Sequence, residues 1–542
     1  MKSKSSKKRS KKELKSSEAK VLDDKILYPI TIEDITEEGE GIGHIDGMTV
    51  FVHNALPGDH LLTKLIKVKK RYAIGIIHQM LERSENRITA PCPYARQCGG
   101  CQLQEYDYAA QLAFKENHLI ETLKRIGGIE TYQYDGFIGM ASPEHYRNKG
   151  IYQMALVKSS GAVGFYRKRS HDIVDVKQCM LQTQSTNDLI YLLRGWIERS
   201  GIAIYNEKTA EGILRRVMVR DTQKGDAMMV VFVVTKRDKT VDRLLAAVKA
   251  ELPPTLKSVY LNYNADLGNT ALSYDYEHVY GDPEIIDTIG TASFKISPQS
   301  FFQINRVQTE RLYDVVVRYA SDIFGEKQAI EVAQNFEQMQ PAAKQPCDET
   351  IVNTVNTGAE TCDAAAGDIE NAKNIEDGDN GDNALEGLTV LDLYCGIGSI
   401  GIYLAKHNPR IARIIGVEVV SNAIEDARVN AAFNGLENTE YHVGKAEAVM
   451  PMLKERGITT DLVILDPPRK GCDEALLSTL VAMAVQNIIY VSCKPSTLAR
   501  DLKYLTENGF IVQKVTGVDM FPWTGHVEAI ILMTRSGSGE KK

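Results

Sequence analysis

Apolar and polar side chains alternate in short runs between residues 26 and 81, and this period predicts strands over 28–35, 48–52, 60–68 and 72–81. Glu38-Gly39-Glu40-Gly41, Asp46-Gly47 and Pro57-Gly58-Asp59 supply the turns between them. Residues 23–83 therefore read as a small OB-like β-barrel of about five strands. Lys64, Lys67, Lys69, Lys70 and Arg71 form a basic run near one strand end, which suits RNA phosphates and equally suits a guarded strand edge.

Residues 84–326 begin with cysteines and continue as a mixed pattern, read as a central α+β domain. From 327 to 386 no period persists and large apolar side chains are scarce, so this stretch is expected to be an acidic disordered insertion in which Cys347 and Cys362 share no role. After Gly387, buried strands expected at 389–393, 414–417, 462–465 and 488–491 alternate with helical stretches, the signature of a doubly wound α/β sheet over 387–535, with 290–326 packing on it.

Composition adds limits. A chain of 542 residues, 43% apolar and 25% charged, can bury several cores, and three folded domains are expected. Its longest unbroken apolar run, residues 227–234, is too short to span a bilayer, and no apolar segment follows the lysine-rich N-terminus, so a soluble cytoplasmic protein without a membrane partner is expected. Nine cysteines clustered unevenly point to reduced thiols in metal or catalytic roles, with disulfides the weaker reading. The net charge of −7 conceals an asymmetry: residues 1–20 carry +7, residues 327–386 carry −10, and the remainder carries −4. A disordered basic tail over 1–22 would attract phosphates, or would simply be solvated.

The first strand of the α/β region runs into Asp392-Leu393-Tyr394-Cys395-Gly396-Ile397-Gly398, where Gly396 and Gly398 allow a tight turn and a close ligand approach before a helix. The second ends at Glu418, placed to accept hydrogen bonds from ribose hydroxyls. These two features fit NAD or S-adenosylmethionine. Asp392 favours the latter, whose ammonium group needs a carboxylate where a dinucleotide places its phosphates, although helix capping or loop bracing would also use Asp392.

Asp466-Pro467-Pro468-Arg469 ends the third of these strands and Ser492-Cys493-Lys494-Pro495 ends the fourth, where open α/β sheets keep their sites. Carbon-5 of a pyrimidine is a poor nucleophile until something adds to C6, and a thiolate does this well. Cys493 is the candidate nucleophile and Glu528, in Gly525-His526-Val527-Glu528, the candidate base that removes the C5 proton. Taken without their neighbours, Cys493 reads as a small buried residue and Glu528 as a strand carboxylate.

Together with Phe301-Phe302-Gln303-Ile304-Asn305, these motifs occur in an order that resembles the RNA uracil-5-methyltransferase family, specifically its RumA-like 23S ribosomal RNA branch. The resemblance covers roughly residues 26–326 and 387–535. It implies a multidomain α/β protein with an N-terminal TRAM barrel, a central α+β domain with an iron-sulfur site, and a C-terminal Rossmann-like domain dependent on S-adenosylmethionine. It further implies that Gln303, Tyr394, Glu418 and Asp466 contact that cofactor, that Cys493 is the nucleophile and that Glu528 is the base. Cys92, Cys98, Cys101 and distant Cys179 are the implied ligands of a [4Fe-4S] cluster, although four thiolates would also suit zinc.

Tyr146-Arg147-Asn148-Lys149 and Gly164-Phe165-Tyr166-Arg167-Lys168-Arg169 mix aromatics with cations, as expected for RNA that presents a flipped or looped uridine. The chain departs from the family at Leu214-Arg215-Arg216, where Leu-Arg-His is common, and in its acidic insertion. RNA, with 23S ribosomal RNA foremost, is the expected partner, and no obligate protein partner is evident. The transfer-RNA branch shares the catalytic residues but usually lacks the barrel and the cluster cysteines. A catalytically idle RNA-binding protein and an NAD-dependent oxidoreductase are the readings from other classes, opposed by Cys493 with Glu528 and by Asp392 respectively.

Overall fold

The computed structural model describes residues 22–157, 160–268, 270–324 and 387–536. The tail expected at 1–22, apart from Leu22, and the insertion expected at 327–386 lie outside the described residues.

The N-terminal barrel has six strands, β1 (Leu27–Thr31), β2 (Asp34–Ile35), β3 (Glu40–Ile45), β4 (Met48–His53), β5 (His60–Val68) and β6 (Tyr72–Glu82), in the order β1-β5-β6-β4-β3-β2. Alternate residues Val50, Val52, Leu61, Leu65 and Ala73 point inward to form its core. The hairpin from β3 to β4 turns on Asp46 and Gly47, both with positive φ (49° and 81°), as a tight two-residue turn requires. Two differences from the sequence expectation share one cause. The strand expected over 28–35 breaks at Ile32-Glu33, and residues read as a turn, Glu40-Gly41, begin β3. Gly41 and Gly43 are strand residues because other backbone passes too close for a side chain: a Cβ on Gly43 would meet Thr31 O at 2.4 Å and one on Gly41 would meet Ala55 O at 2.8 Å.

After the cysteine segment come α1 (Tyr108–Thr122) and β7 (Gln133–Ile138). The central sheet contains β8 (Lys149–Val157), β9 (Ser160–Tyr166), β10 (Ile173–Asp175), β11 (Leu214–Asp221), β12 (Met228–Val234), β13 (Leu256–Tyr263) and β14 (Tyr276–Gly281), in the order β10-β9-β8-β11-β12-β13-β14. Every residue of β12 is buried, which explains its unbroken apolar run. Met228, Val230, Phe232 and Val234 pack with α2 (Gln184–Ser200) and α3 (Lys239–Ala250), while Met229 and Val231 face the core shared with the C-terminal domain.

A hairpin of β15 (Ile285–Ile289) and β16 (Ala292–Ile296) and the helix α4 (Arg306–Phe324) join the central sheet to that domain. The C-terminal sheet comprises β17 (Leu388–Leu393), β18 (Ile411–Glu418), β19 (Thr439–Val443), β20 (Leu462–Leu465), β21 (Asn487–Ser492), β22 (Phe510–Val518) and β23 (Glu528–Arg535). Its order is β19-β18-β17-β20-β21-β23-β22-β7: a parallel doubly wound core, with β23 inserted antiparallel between β21 and β22. The helices include α5 (Ser399–His407) and α6 (Ser421–Phe433).

The expected 84–326 unit is therefore divided, because β7 is the eighth strand of the C-terminal sheet, pairing parallel with β22. Residues 290–324 pack on that sheet: Tyr313, Val315 and Tyr319 of α4 enter its core, and Asn430 of α6 and Asn434, which caps its C-terminus, accept hydrogen bonds from Lys295 N and Ser293 N. Among the described residues no helix is long and apolar enough to cross a membrane.

Candidate active site

Strand register brings the principal residues together. Ser492, the last residue of β21, lies opposite Ala529 in the antiparallel ladder with β23, so Cys493 and Glu528 emerge side by side at the strand ends. In the neighbouring parallel pairs Leu393 sits opposite Leu465 and Leu465 opposite Tyr490, which delivers Asp466 to the same edge.

Burial governs the charge of this group. It pushes the Cys493 thiol up to about 11, and the Glu528 and Asp466 carboxylates beside it act in the same direction while Arg469 opposes them. Glu528 is 3% exposed and held well above the ordinary carboxylate range by desolvation, with Asp466 adding to the effect and Arg469 opposing it. Desolvation also raises Asp392 and Asp466 to about 7. Tyr313, which sequence reasoning missed, reaches in from α4: its hydroxyl pairs with Ser399 Oγ at 2.7 Å, and Asp466, Asp392 and Glu528 all act electrostatically on it. No local motif marks Tyr313; only the packing of α4 on the sheet reveals it.

The cofactor loop fits S-adenosylmethionine. Tyr394, Gly396 and Gly398 all have positive φ (64°, 54° and 78°), and Gly398 caps α5 at its N-terminus. A Cβ on Gly398 would meet the Tyr441 hydroxyl at 2.8 Å. Asp392 Oδ2 accepts a hydrogen bond from Gly401 N (3.1 Å), whereas Oδ1 is buried with no partner among the described residues. That orphaned acceptor suits a cationic ammonium group. Glu418 accepts from Gly396 N (3.3 Å) and Val420 N (3.0 Å), and each oxygen keeps acceptor capacity for a ribose hydroxyl. Gln303 is held by its backbone, whose carbonyl accepts from Asn148 Nδ2 (2.9 Å), while its side chain has no hydrogen-bond partner among the described residues.

Above Cys493 lies a cavity of about 160 Å³ lined by Arg469, Lys494 and His526 from the C-terminal domain, Gln102 from the cysteine segment, and Glu37 and Glu38 from the barrel. Arg469 Nη2 lies 3.3 Å from His526 Nε2, and burial followed by that guanidinium lowers the His526 pKa, so the neutral imidazole accepts. His118 of α1 sits 3.0 Å from Glu37 Oε1 and holds that carboxyl below its ordinary range, with Lys494 adding to the effect from 4.0 Å. The barrel is thus part of the wall around Cys493.

Cys92, Cys98 and Cys101 and the distant Cys179 line a single cavity of about 320 Å³. Gly100 N donates to Cys98 Sγ (3.4 Å) and Gln104 Nε2 to Cys101 Sγ (3.5 Å), and burial raises the Cys101 thiol to about 12. Among the described residues no group of three or more His, Cys, Asp or Glu side chains is placed to hold a metal ion.

One RNA-contact expectation needs correction. Tyr146 and Asn148 are buried, with the Tyr146 hydroxyl donating to Pro522 O (3.1 Å), and Arg147 and Lys149 line the cysteine cavity. The unusual Arg215-Arg216 pair is also buried: Arg215 Nη1 donates to Asp266 O (2.7 Å) and Arg216 Nη1 to Thr270 O (2.9 Å).

Comparison with known proteins agrees with this architecture. Residues 371–536 match the tRNA (uracil-5-)-methyltransferase family and residues 27–77 the TRAM domain. An uncharacterised RNA methyltransferase of Clostridium acetobutylicum is 37% identical over 511 residues, covering 94% of this chain and 97% of its own. Another from Listeria innocua is 37% identical over 523 residues, covering 95% and 99%. Among solved structures, the Pyrococcus abyssi tRNA (uracil-54, C5)-methyltransferase in complex with S-adenosyl-L-homocysteine superposes with a TM-score of 0.66 at 25% identity, covering 94% of this chain and all of that one. On the strength of its motifs, its fold and these relatives, the chain belongs to the RNA uracil-5-methyltransferase family and is an RNA methyltransferase that uses S-adenosylmethionine.

Proposed function

We propose that the chain methylates C5 of a uridine in RNA, with 23S ribosomal RNA as its substrate. The observation that carries the reaction is the emergence of Cys493 and Glu528 side by side in the β21–β23 register, beneath a cavity walled by three parts of the chain.

In this reading Cys493 Sγ, its proton released to solvent, forms a bond to C6 of the uracil, and the electron pair of the 5,6 double bond moves toward C5 and O4. Asp392, Tyr394, Gly396, Gly398, Glu418, Asp466 and Gln303 would hold S-adenosylmethionine, whose methyl group would bond to C5 as its bond to sulfur breaks and S-adenosylhomocysteine is left. Glu528 then accepts the C5 proton, the C6–S bond breaks, the 5,6 double bond returns and Cys493 leaves as a thiolate. Glu528 must be ionised to act. The guanidinium of Arg469 favours that ionised form against the burial that opposes it.

We also propose that Cys92, Cys98, Cys101 and Cys179 hold a [4Fe-4S] cluster. Four cysteines lining one cavity supply the four thiolates that such a cluster takes, a donor set that zinc would also accept, and the family resemblance favours the cluster. Four protein ligands would leave no iron open, which fits a structural or RNA-positioning role.

A second reading, a transfer-RNA substrate, is favoured by the Pyrococcus abyssi enzyme, whose match over 94% of this chain means that the barrel does not by itself separate the two substrates. The decisive experiment incubates the protein and S-adenosylmethionine with unmodified 23S RNA and, separately, with unmodified transfer RNA, and maps 5-methyluridine by nuclease digestion and mass spectrometry. Product in 23S RNA is expected. Product confined to transfer RNA would establish the second reading, and product in neither would leave the chain without the proposed activity.

A further inference from the structure

Three cavities follow one another across the face where the barrel, the cysteine segment and the C-terminal domain meet. The Cys493 cavity and a larger groove of about 580 Å³ share Glu38 and Gln102 as a common wall. That groove in turn meets the cysteine cavity at Gly100 and Phe165. Its volume falls in the range of about 300–1,000 Å³ usual for sites that enclose a small organic group.

One side of the groove is the segment Tyr166-Arg167-Lys168-Arg169 between β9 and β10, and the other is the barrel at Glu40 and Asn54. Backbone hydrogen bonds fix the first side in place: Gly99 N donates to Tyr166 O (2.8 Å), Lys168 N to Gln97 O (3.0 Å) and Arg167 N to Asp172 O (2.7 Å). The Tyr166 ring lies 5.2 Å from that of His171, and Arg169 pairs with Glu40 across the groove. Among the described residues neither Arg167 nor Lys168 is paired with a carboxylate at ion-pair distance: Arg167 Nη2 donates to the neutral Gln97 Oε1 (3.3 Å), and Glu105 acts on Lys168 only from farther away. An aromatic ring on a braced backbone beside two cations that form no direct ion pair is an arrangement that can stack a base and neutralise its phosphate.

We propose that this groove seats the nucleotide adjacent to the target uridine, its base against Tyr166 and its phosphate at Arg167 and Lys168, while the flipped uridine passes Gln102 and Glu38 to reach Cys493. The groove rests on RNA being the substrate and holds for either ribosomal or transfer RNA. Its distance from the chemistry is set by the shared wall, so it positions the strand and takes no part in bond making.

The test uses the full chain and a fluorescein-labelled single-stranded U12 RNA, titrated by anisotropy across a series of KCl concentrations. Tyr166→Leu is expected to weaken binding by about tenfold, the loss of one stacked base, without altering the salt slope. Arg167→Gln with Lys168→Gln is expected to weaken binding and to lower the slope of log K against log salt by about 1.4, or 0.7 for each lost phosphate contact. Wild-type affinity and slope in both variants would overturn the proposal. Retention of the melting-temperature shift induced by S-adenosylmethionine shows that a variant is folded. Should that shift be lost, photocrosslinking of the wild-type chain to U12 carrying 4-thiouridine decides instead: crosslinks at residues 166–169 support the groove, and crosslinks confined to other surfaces reject it. Both readouts are independent of methyl transfer, so a chain that binds RNA here and forms no 5-methyluridine contradicts the proposed reaction and leaves the groove standing.

Discussion

Asp392, Asp466, Glu528 and Cys493 share one desolvated edge of the sheet, and their protonation reports on whether a cation is present. Asp392 and Asp466 lie at about 7, above the usual 3.8 of an aspartate, because burial disfavours their charge. For an acid raised in the folded state, the stabilising contribution is complete below the unfolded pKa and disappears as pH rises through the folded one, here between about 4 and 7. A bound ammonium and sulfonium reverse that loss by favouring the carboxylates. S-adenosylmethionine should therefore bind about tenfold more tightly at pH 8 than at pH 6 for each carboxylate engaged, measured by calorimetry, and Asp392→Asn should flatten the profile. These acids were legible in the sequence because each follows a run of buried strand residues at the carboxyl edge of the sheet. Tyr146 and Asn148 were misread for the opposite reason: an aromatic next to cations looks the same whether it faces solvent or, as here, the core.

At the scale of elements, α1 acts as a brace for the segment that leads into Glu528. Lys115 Nζ donates to Asp519 Oδ1 (2.6 Å) and to Phe521 O (3.2 Å), Tyr108 donates to Asp519 Oδ2 (2.9 Å), and both members of the Lys115–Asp519 pair are fully buried. Lys115→Met would strand the Asp519 charge in the interior and should cost about 3–5 kcal/mol, read as a lower melting temperature. One turn further along α1, His118 meets Glu37 of the barrel. None of this was visible in the chain, since the partners lie some four hundred residues apart for Lys115 and Asp519. The same limit hid β7, whose pairing with β22 depends on the docking of α1 and not on any pattern in Gln133–Ile138. The strands β17, β18, β20 and β21 were legible because burial on both faces writes them as continuous apolar runs.

For the whole molecule, the domains are joined by sites as well as by linkers: the Cys493 cavity takes residues from the barrel, the cysteine segment and the C-terminal domain. By contrast, the chain on either side of residues 325–386 returns to one place. Arg410 Nη1 donates to Phe324 O (3.0 Å), and Leu388 N donates to Arg410 O (2.8 Å). Closing a loop whose ends already meet costs little at any length. Replacing residues 327–386 by a Gly/Ser linker of about eight residues should leave the methylation rate within about threefold of the full chain, measured with the same RNA.

The covalent step is the centre of this account, and it is tested most directly by trapping it. Glu528→Gln, incubated with S-adenosylmethionine and the RNA that accepts the methyl group, should accumulate a protein–RNA adduct that survives denaturation, and mass spectrometry should place the bond between Cys493 and a methylated uridine. The adduct should vanish when Cys493→Ala is added. An adduct that persists without Cys493, or 5-methyluridine formed at the wild-type rate by Cys493→Ala, would contradict the account.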